Sequence, residues 1–273
     1  MTINCKGTLI DLTSPKVMGI LNITPDSFFD GGKYKDEHTI LSQTEKMLKE
    51  GANFVDVGAY SSRPGAKHVS ETEELQRIVP VIELLKRNFS DILISVDSFR
   101  SAVVRESVNA GASLINDISG GVLDDKMFAT VASLQVPYIM MHMQGTPQRM
   151  QLNPVYENVV TDIISFFAAQ LHKLRALKVN DVIIDVGFGF GKTTEHNYEL
   201  LKKLSLFKSL ELPILTGISR KSMLYKTLDI SPQEALNATT VANTIALLNG
   251  TNIIRVHDVK EAVEAVKIVK QLG

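Results

Sequence analysis

Polar side chains end almost every apolar run of this sequence. The residues at those positions are Asn22, Asp56, Asp97, Asn116, His142, Asp185, Ser219, and Arg255 together with His257. Taken singly, such residues have ordinary interpretations: Asp97 is a candidate cap for a helix that begins near Phe99, and Asp258 for the last helix. Their recurrence at the same point of successive runs indicates a common site.

Acids and amides form the first chemical group at these positions. Its members are Asp56, Asp97, Asn116 and Asp185. A carboxylate that faces two adjacent N–H donors makes a paired, charge-assisted contact, and an asparagine both donates and accepts beside it. This group therefore predicts a buried heterocycle with an amidine or guanidine edge.

Cations at or just after the ends of the runs form the second group. Its members are Arg63, Lys221, Arg255 and His257. A single Arg or Lys in a loop is ordinarily a solvated charge, but Lys221 stands where a helix begins, a place that favours an anion. Together the two groups predict a substrate with a hydrogen-bonding ring at one end and a phosphate or diphosphate at the other.

The elements that must position these residues alternate along the chain. Eight short apolar runs are each expected to be a strand: KVMGILNIT, NFVDVGA, ILISVDS, SLINDISG, VPYIMMHM, VIIDVGFGF, PILTGIS and NIIRVHD. Amphipathic helical patterns separate them over residues 38–50, 73–88, 99–110, 155–177, 196–208, 232–249 and 259–272. Alternating strands and helices indicate parallel pairing. Eight units favour an α/β fold of the (β/α)₈ TIM-barrel type, with an open doubly wound sheet as the alternative.

The N-terminal residues and the overall composition complete the fold prediction. The segment TINCKGTLIDL predicts a short β-hairpin that closes the bottom of the barrel, and no break in composition divides residues 1–273 into more than one domain. The formal net charge of −1, without a long basic run, argues against nucleic acid or a membrane surface as a partner. A single cysteine, Cys5, excludes an internal disulfide, so we expect a cytoplasmic protein.

Two motifs that could suggest a binding site have more ordinary explanations. The stretch DVGFGFGKT, residues 185–193, resembles a P-loop, but the glycine that a P-loop requires is replaced by Val186. We expect its glycines to allow a tight turn and close approach to a flat ligand. The cluster of Met140, Met141 and Met143 is typical of core packing, with Met140 alone kept as a candidate pocket wall.

Eight segments of the sequence follow one another in a recognisable order: GILNITPDSFFDGG (19–32), GANFVDVGAYSSRPGA (51–66), SVDSFR (95–100), INDISGG (115–121), MHMQGTP (141–147), IIDVGFGFGKT (183–193), GISRKSML (217–224) and IIRVHDV (253–259). In these segments, and over essentially its whole length, the chain resembles the dihydropteroate synthases of folate biosynthesis. The resemblance implies a TIM barrel that condenses 6-hydroxymethyl-7,8-dihydropterin diphosphate with p-aminobenzoate. It also implies a homodimer and bound Mg²⁺.

The resemblance assigns residues to each part of the substrates. For the pterin they are Asp97, Asn116, Met140, Asp185, Phe190, Lys221 and Arg255. For the diphosphate they are Asn22, Ser62, Arg63, Arg255 and His257, with Mg²⁺ bridging to Asn22. For p-aminobenzoate they are Phe28, Pro64, Lys221 and Ser222. The implied catalytic set is Asp30, Arg63, Lys221, Arg255 and His257.

The polar loop 24–32 contains two adjacent aromatic rings, Phe28 and Phe29. We expect this loop to order when the first substrate binds, with Phe28 forming an apolar wall over the benzoate ring. Asp30 is the candidate for stabilising the cation that forms or for accepting the released proton. The position of Phe29 stays open at this stage.

The chain departs from the family pattern at two places, and two other activities stay open. Ala59-Tyr60 follows Gly58 where many members have Gly-Glu, and Val186 stands where Pro is frequent. Folate-dependent corrinoid methyltransferases share the barrel and the Asp-Asn-Asp anchor, but they do not handle a diphosphate. Lys221 is also suited to a Schiff-base aldolase.

Overall fold

The computed structural model describes residues 1–23, 33–61 and 69–272, and the side chains from residue 37 onward in the second range. Within these ranges the strands are β1 Thr2–Cys5, β2 Thr8–Asp11, β3 Lys16–Asn22, β4 Phe54–Gly58, β5 Ile94–Asp97, β6 Leu114–Asp117, β7 Tyr138–Met141, β8 Val182–Asp185, β9 Ile214–Thr216 and β10 Ile253–Val256. The α-helices are α1 Lys33–Glu50, α2 Glu71–Asn88, α3 Ser101–Ala110, α4 Met127–Leu134, α5 Val159–Ala176, α6 Thr194–Lys202, α7 Ser222–Leu228, α8 Leu236–Leu248 and α9 Val259–Val269.

Eight of these strands close into a barrel. The order around it is β10-β3-β4-β5-β6-β7-β8-β9, and each neighbouring pair is parallel. The eight apolar runs are these eight strands, so the predicted TIM barrel is confirmed and the open sheet is wrong. At its C-terminal rim, side chains from different strands converge, and active sites of this fold lie there.

The helical patterns are correct in place but not always in length. The pattern at 196–208 divides into α6 and a 3₁₀ helix at Leu204–Leu210. The pattern at 232–249 likewise divides into a 3₁₀ turn at Pro232–Glu234 and α8. Helices α4 and α7 were not predicted, because eight and seven residues are too few to display a clear helical period. No described helix is long and apolar enough to cross a membrane.

The N-terminal hairpin forms and covers one end of the barrel. β1 and β2 pair antiparallel around Lys6 and Gly7. Its apolar side chains Ile3 and Cys5 belong to one buried cluster with Phe54 and Ile253, which begin barrel strands. The hairpin thus closes the N-terminal end, as predicted, and leaves the opposite rim as the open one.

The strand register decides which side chains face the barrel interior. Aligned residues of neighbouring parallel strands share a face, and successive residues alternate between faces. Phe54, Asp56 and Gly58 therefore face one way, and Val55 and Val57 the other way, into the apolar layer shared with the helices. The interior thus changes from apolar at the hairpin end to polar near the rim.

An acid in the outer layer supports the loop that follows β6. The Tyr138 hydroxyl donates to Asp117 Oδ2 at 2.7 Å, and both residues are fully buried. The other Asp117 oxygen accepts from the backbone N–H of Ser119 at 2.7 Å, and Oδ2 also accepts from Gly121 N–H at 2.8 Å. Asp117 therefore fixes the turn immediately after the rim residue Asn116.

Removing the Tyr138 hydroxyl should weaken this support. We expect Tyr138→Phe to lower the free energy of unfolding by about 1–3 kcal/mol, because a buried carboxylate loses a partner. Urea denaturation monitored by circular dichroism measures this. Tyr225→Phe at the half-buried Tyr225 is the matched control, and equal effects of the two substitutions would contradict the assigned role.

Candidate active site

The predicted acids and amide lie on one face of the barrel interior. Asp97 aligns with Asn116 across β5 and β6, and Asp97 also aligns with Gly58, two residues beyond Asp56. Asp185 ends β8 and aligns with Met141. The structure therefore brings together at the rim the residues that the sequence pattern grouped.

Arg255 links these acids from β10. Its Nε donates to Asp56 Oδ2 at 2.6 Å and its Nη2 to Asp97 Oδ2 at 2.7 Å. Asn116 Nδ2 donates to the same Asp56 oxygen at 3.0 Å. Burial disfavours the Arg255 cation, but Asp56 and Asp97 outweigh it and hold the pKa of Arg255 above its ordinary value. Arg255 is thus the central cation of the interior.

Acceptor capacity remains in this network. Asp56 is fully buried, and its Oδ1 has no hydrogen-bond partner among the described residues. Burial raises the pKa of Asp97 to about 7, although Arg255 opposes the shift. Because an unsatisfied buried oxygen is costly, Asp56 Oδ1 is suited to accept from a ligand that brings N–H donors.

Asp185 and Lys221 form the neighbouring part of the site. The Lys221 ammonium lies 4.6 Å from the centre of the Phe190 ring and donates to the Phe188 carbonyl. Burial raises the pKa of Asp185, opposed by Lys221, and burial lowers the pKa of Lys221 to about 8. A flat apolar surface, a carboxylate and an amine thus lie together, which suits a flat ring that carries N–H donors.

His257 lies just beyond β10, exposed at the rim. Its backbone N–H donates to Ser219 Oγ at 3.2 Å, and the same oxygen lies 3.1 Å from His257 Nδ1. Since the Ser219 hydroxyl proton is free to point at Nδ1, this arrangement favours the tautomer with the proton on Nε2. An Nε2–H group is a suitable donor to an anionic oxygen.

Neither Asp97 nor Asp258 caps a helix with its side chain. Helix α3 begins after Arg100 without a side-chain cap of its own, and the Ser101 N–H is satisfied by Asp124 instead of Asp97. Asp258 binds Arg220 through two contacts of 2.8 Å and does not cap α9. Asp97 therefore belongs to the site.

Met140 does not line the barrel interior, contrary to the prediction. It aligns with Asp117 and Ile184, and it packs in the apolar layer between barrel and helices. Met141 aligns with Asp185 and takes the inward position. Both methionines are buried, so composition could not distinguish them, and a shift of one residue exchanges the two faces.

The remaining predicted residues are divided between described and undescribed parts of the chain. Asn22 ends β3 and Ser222 begins α7, and both are half-buried. The predictions for Phe28, Phe29, Asp30, Ser62, Arg63 and Pro64, and for the ordering of loop 24–32, lie outside the described residues.

Tyr60, at one of the places where the sequence departs from the pattern of the family that it resembles, has aromatic and polar contacts. Its ring packs edge-on against Phe99 at 5.2 Å, and its hydroxyl accepts from Gln148 Nε2 at 2.8 Å. The Arg100 guanidinium carbon lies 5.4 Å from the ring centre. Tyr60 therefore joins the loop after β4 to the loops after β5 and β7. Sequence reasoning did not identify this contact, nor the buried Lys192, because both depend on partners in distant loops.

The burial of Asp97 predicts a pH dependence of stability. Between about pH 4 and about 7 the unfolded chain releases this proton while the folded protein retains it, so the free energy of unfolding should fall as pH rises across that window. Asp97→Asn should remove this contribution. Urea denaturation at several pH values measures the difference, with the exposed Asp91→Asn as control. Parallel pH curves for wild type and Asp97→Asn would contradict the prediction.

Comparison with known proteins agrees with this geometry. The family described as pterin binding enzyme matches residues 18–257. The dihydropteroate synthase of Escherichia coli K12 is 42% identical over 272 residues, covering 99% of this chain and 96% of that protein. The enzyme of Haemophilus influenzae is 43% identical over 270 residues, covering 98% of each.

Solved structures show the same relation. The Yersinia pestis dihydropteroate synthase in a sulfonamide drug complex superposes with a TM-score of 0.93 at 45% identity, covering 100% of this chain and 99% of that one. The Xanthomonas albilineans dihydropteroate synthase with 4-aminobenzoic acid gives a TM-score of 0.92 at 35% identity, covering 99% and 97%. With its predicted acids and amide converging at one rim with Lys221, Arg255 and His257, the chain belongs to the dihydropteroate synthase family of pterin-binding enzymes.

Proposed function

We propose that this chain condenses 6-hydroxymethyl-7,8-dihydropterin diphosphate with p-aminobenzoate, giving 7,8-dihydropteroate and diphosphate. The observation that carries the proposal is the group formed by Asp56, Asp97, Asn116 and Arg255 at the barrel rim, in a chain of this family. Acids that accept from a ring edge and a cation that faces an anion match the two ends of this substrate.

The pterin is proposed to bind deepest in the barrel. Asp97, Asn116 and Asp185 offer acceptors to its N–H groups, and Phe190 with Lys221 offers a surface beside its ring. Met141 replaces Met140 as the proposed inward methionine. Because Asp97 is already paired with Arg255, a pterin that binds Asp97 must share or displace that contact.

The diphosphate is proposed to lie at the outer edge of the same rim. Arg255 and His257 would bind it, together with Asn22, Ser62 and Arg63. Among the described residues no group of three His, Cys, Asp or Glu side chains is placed to hold a metal. A single amide oxygen from Asn22 nevertheless fits Mg²⁺ that arrives with the phosphates, since Mg²⁺ keeps several waters and commonly binds substrate oxygens. When bound, the ion would neutralise charge on the departing diphosphate.

The proposed mechanism begins with cleavage of the bond between the C6 methylene carbon and the diphosphate oxygen. The bonding electrons leave with the diphosphate, whose charge Arg255 and His257 stabilise. Asp97 and Asp185 favour the positive charge that develops on the pterin ring. The nitrogen of p-aminobenzoate, held beside Lys221 and Ser222 with Phe28 and Pro64, then attacks the methylene carbon and loses a proton, for which Asp30 is the proposed acceptor.

Purified protein mixed with both substrates and Mg²⁺ tests the proposal. We expect dihydropteroate and diphosphate to form in equal amounts, measured by chromatography and a coupled diphosphate assay. Omission of p-aminobenzoate is the control for hydrolysis alone. Absence of product, or methyl transfer from a folate to a corrinoid protein instead, would overturn the proposal.

Asp185→Asn tests the pterin pocket. Loss of one charged hydrogen-bond acceptor should weaken pterin diphosphate binding by roughly 10- to 100-fold, measured by titration calorimetry. The matched control is Asp181→Asn on the opposite end of β8, where Asp181 accepts from the Asn4 N–H at 3.1 Å. Unchanged affinity in Asp185→Asn would contradict the role of this carboxylate.

We also propose a cytoplasmic homodimer. Val241, Ile245 and Leu248 are 53%, 39% and 56% exposed and recur on one face of α8. An exposed apolar stripe of this kind is suited to burial against a second copy. The free, buried Cys5 supports a reducing compartment.

Introducing charge into this stripe should separate the subunits. We expect wild type to sediment as a dimer and Ile245→Glu as a monomer, because an unpaired carboxylate would be buried at the interface. Leu9→Glu, at a residue that is 71% exposed on the hairpin, is the control and should remain dimeric. A monomeric wild type, or a dimeric Ile245→Glu, would contradict the proposed interface.

A further inference from the structure

The Lys192 ammonium is buried between the loops that follow β7 and β8. Only 3% of this residue is exposed. Its Nζ donates to the carbonyl oxygens of Gly187 at 2.9 Å, Phe190 at 3.0 Å and His142 at 3.3 Å. It also lies 3.1 Å from His142 Nδ1. Among the described residues no acid forms an ion pair with it.

A buried lysine without an ion pair is unusual because its charge is costly to desolvate. Burial lowers the pKa of Lys192 well below its ordinary value, and Asp185 opposes that shift. Burial, with the Lys192 charge adding to it, lowers the pKa of His142 to about 2, so the imidazole is neutral and accepts at Nδ1. Against this shift, three carbonyl oxygens and His142 Nδ1 lie at hydrogen-bond distance from Nζ, and acceptors placed in this way favour the charged form of the lysine.

The two loops are pressed together around this ammonium. Gly187 and Gly191 have φ values of +69° and +62°. A Cβ on Gly187 would collide with the His142 carbonyl oxygen, and a Cβ on Gly191 would lie 2.5 Å from the carbonyl oxygen of Gln144. Carbonyl groups from both loops thus converge, and a cation between them offsets their mutual repulsion.

The same loop holds the proposed pterin contacts. The Gly187 N–H donates to Asp185 Oδ1 at 2.8 Å. Phe188 supplies the carbonyl that Lys221 binds, and Phe190 supplies the ring beside Lys221. Lys192 binds the carbonyls of Gly187 and Phe190, and so it fixes the backbone on both sides of these contacts.

We propose that Lys192 is a positioning residue for the pterin pocket: its ammonium holds residues 187–190 against the loop after β7, and thereby sets the positions of Asp185, Phe190 and Lys221. The proposal rests on the proposed function, since it assigns the loop to pterin binding. Lys192 itself lies beneath the loop backbone and is not assigned any contact with substrate.

Chemical rescue of Lys192→Ala provides the test. The substitution should weaken binding of the pterin diphosphate by roughly 10- to 100-fold, because Asp185, Phe190 and Lys221 would no longer be held at the positions from which they contact the pterin. n-Propylammonium, which replaces the removed atoms and the charge, should restore the affinity. n-Propanol, which fills the space without the charge, should not. Titration calorimetry measures binding, and thermal unfolding is followed in parallel.

Two further variants make the result decisive. Lys192→Met keeps the volume of the side chain and should lose pterin affinity without regaining it in n-propylammonium. Lys203→Ala, at a lysine paired with Glu199 at 2.8 Å beyond the end of α6, is the matched control and should bind as wild type does.

The outcomes separate the two proposals. A wild type that does not bind the pterin diphosphate overturns the proposed function. A wild type that binds, with Lys192→Ala and Lys192→Met binding equally well, overturns only the positioning role. Rescue by n-propanol as effective as that by n-propylammonium, or failure of both variants to fold, assigns Lys192 to packing and also overturns the positioning role.

Discussion

The contacts of Arg255 with Asp56 and Asp97 are the constraint on which the open end of the barrel depends. Two carboxylates this close inside a closed sheet would repel each other, and the guanidinium between them offsets that repulsion. Replacing buried ion pairs by apolar side chains is often neutral or stabilising. Stability alone therefore does not account for charge at this place, whereas recognition of a ligand with N–H donors and an anionic group does.

Asp56 shows how the interior is prepared for such a ligand. One of its oxygens accepts from both Arg255 and Asn116, while the other has no partner among the described residues. Arg255 is held by the acids and is at the same time the nearest cation to them. A substrate that donates to the acids and presents an anion to the arginine replaces interactions within the protein by equivalent ones, which limits the cost of binding.

The sequence was sufficient for the strands and for most of the rim residues, because apolar runs and the polar residues that end them are local features. It was not sufficient for the faces within a strand whose residues are all buried. In β7 the run YIMM is buried throughout, so only the register with β6 and β8 shows that Met141 points inward and Met140 outward. Lys192 escaped prediction for a related reason, since its partners at His142 and Phe190 meet only in the folded barrel.

Two neighbouring residues of β6 show how the outer layer controls the site. Asn116 points inward to Asp56, and Asp117 points outward to Tyr138 and to the turn at Ser119 and Gly121. Because consecutive residues of a strand share one backbone, any displacement that loosens Asp117 also moves the Asn116 amide. Lys192 has the corresponding position beneath the loop after β8. The geometry of this rim thus depends on buried polar residues that point away from the barrel interior, such as Asp117, as well as on those that point into it.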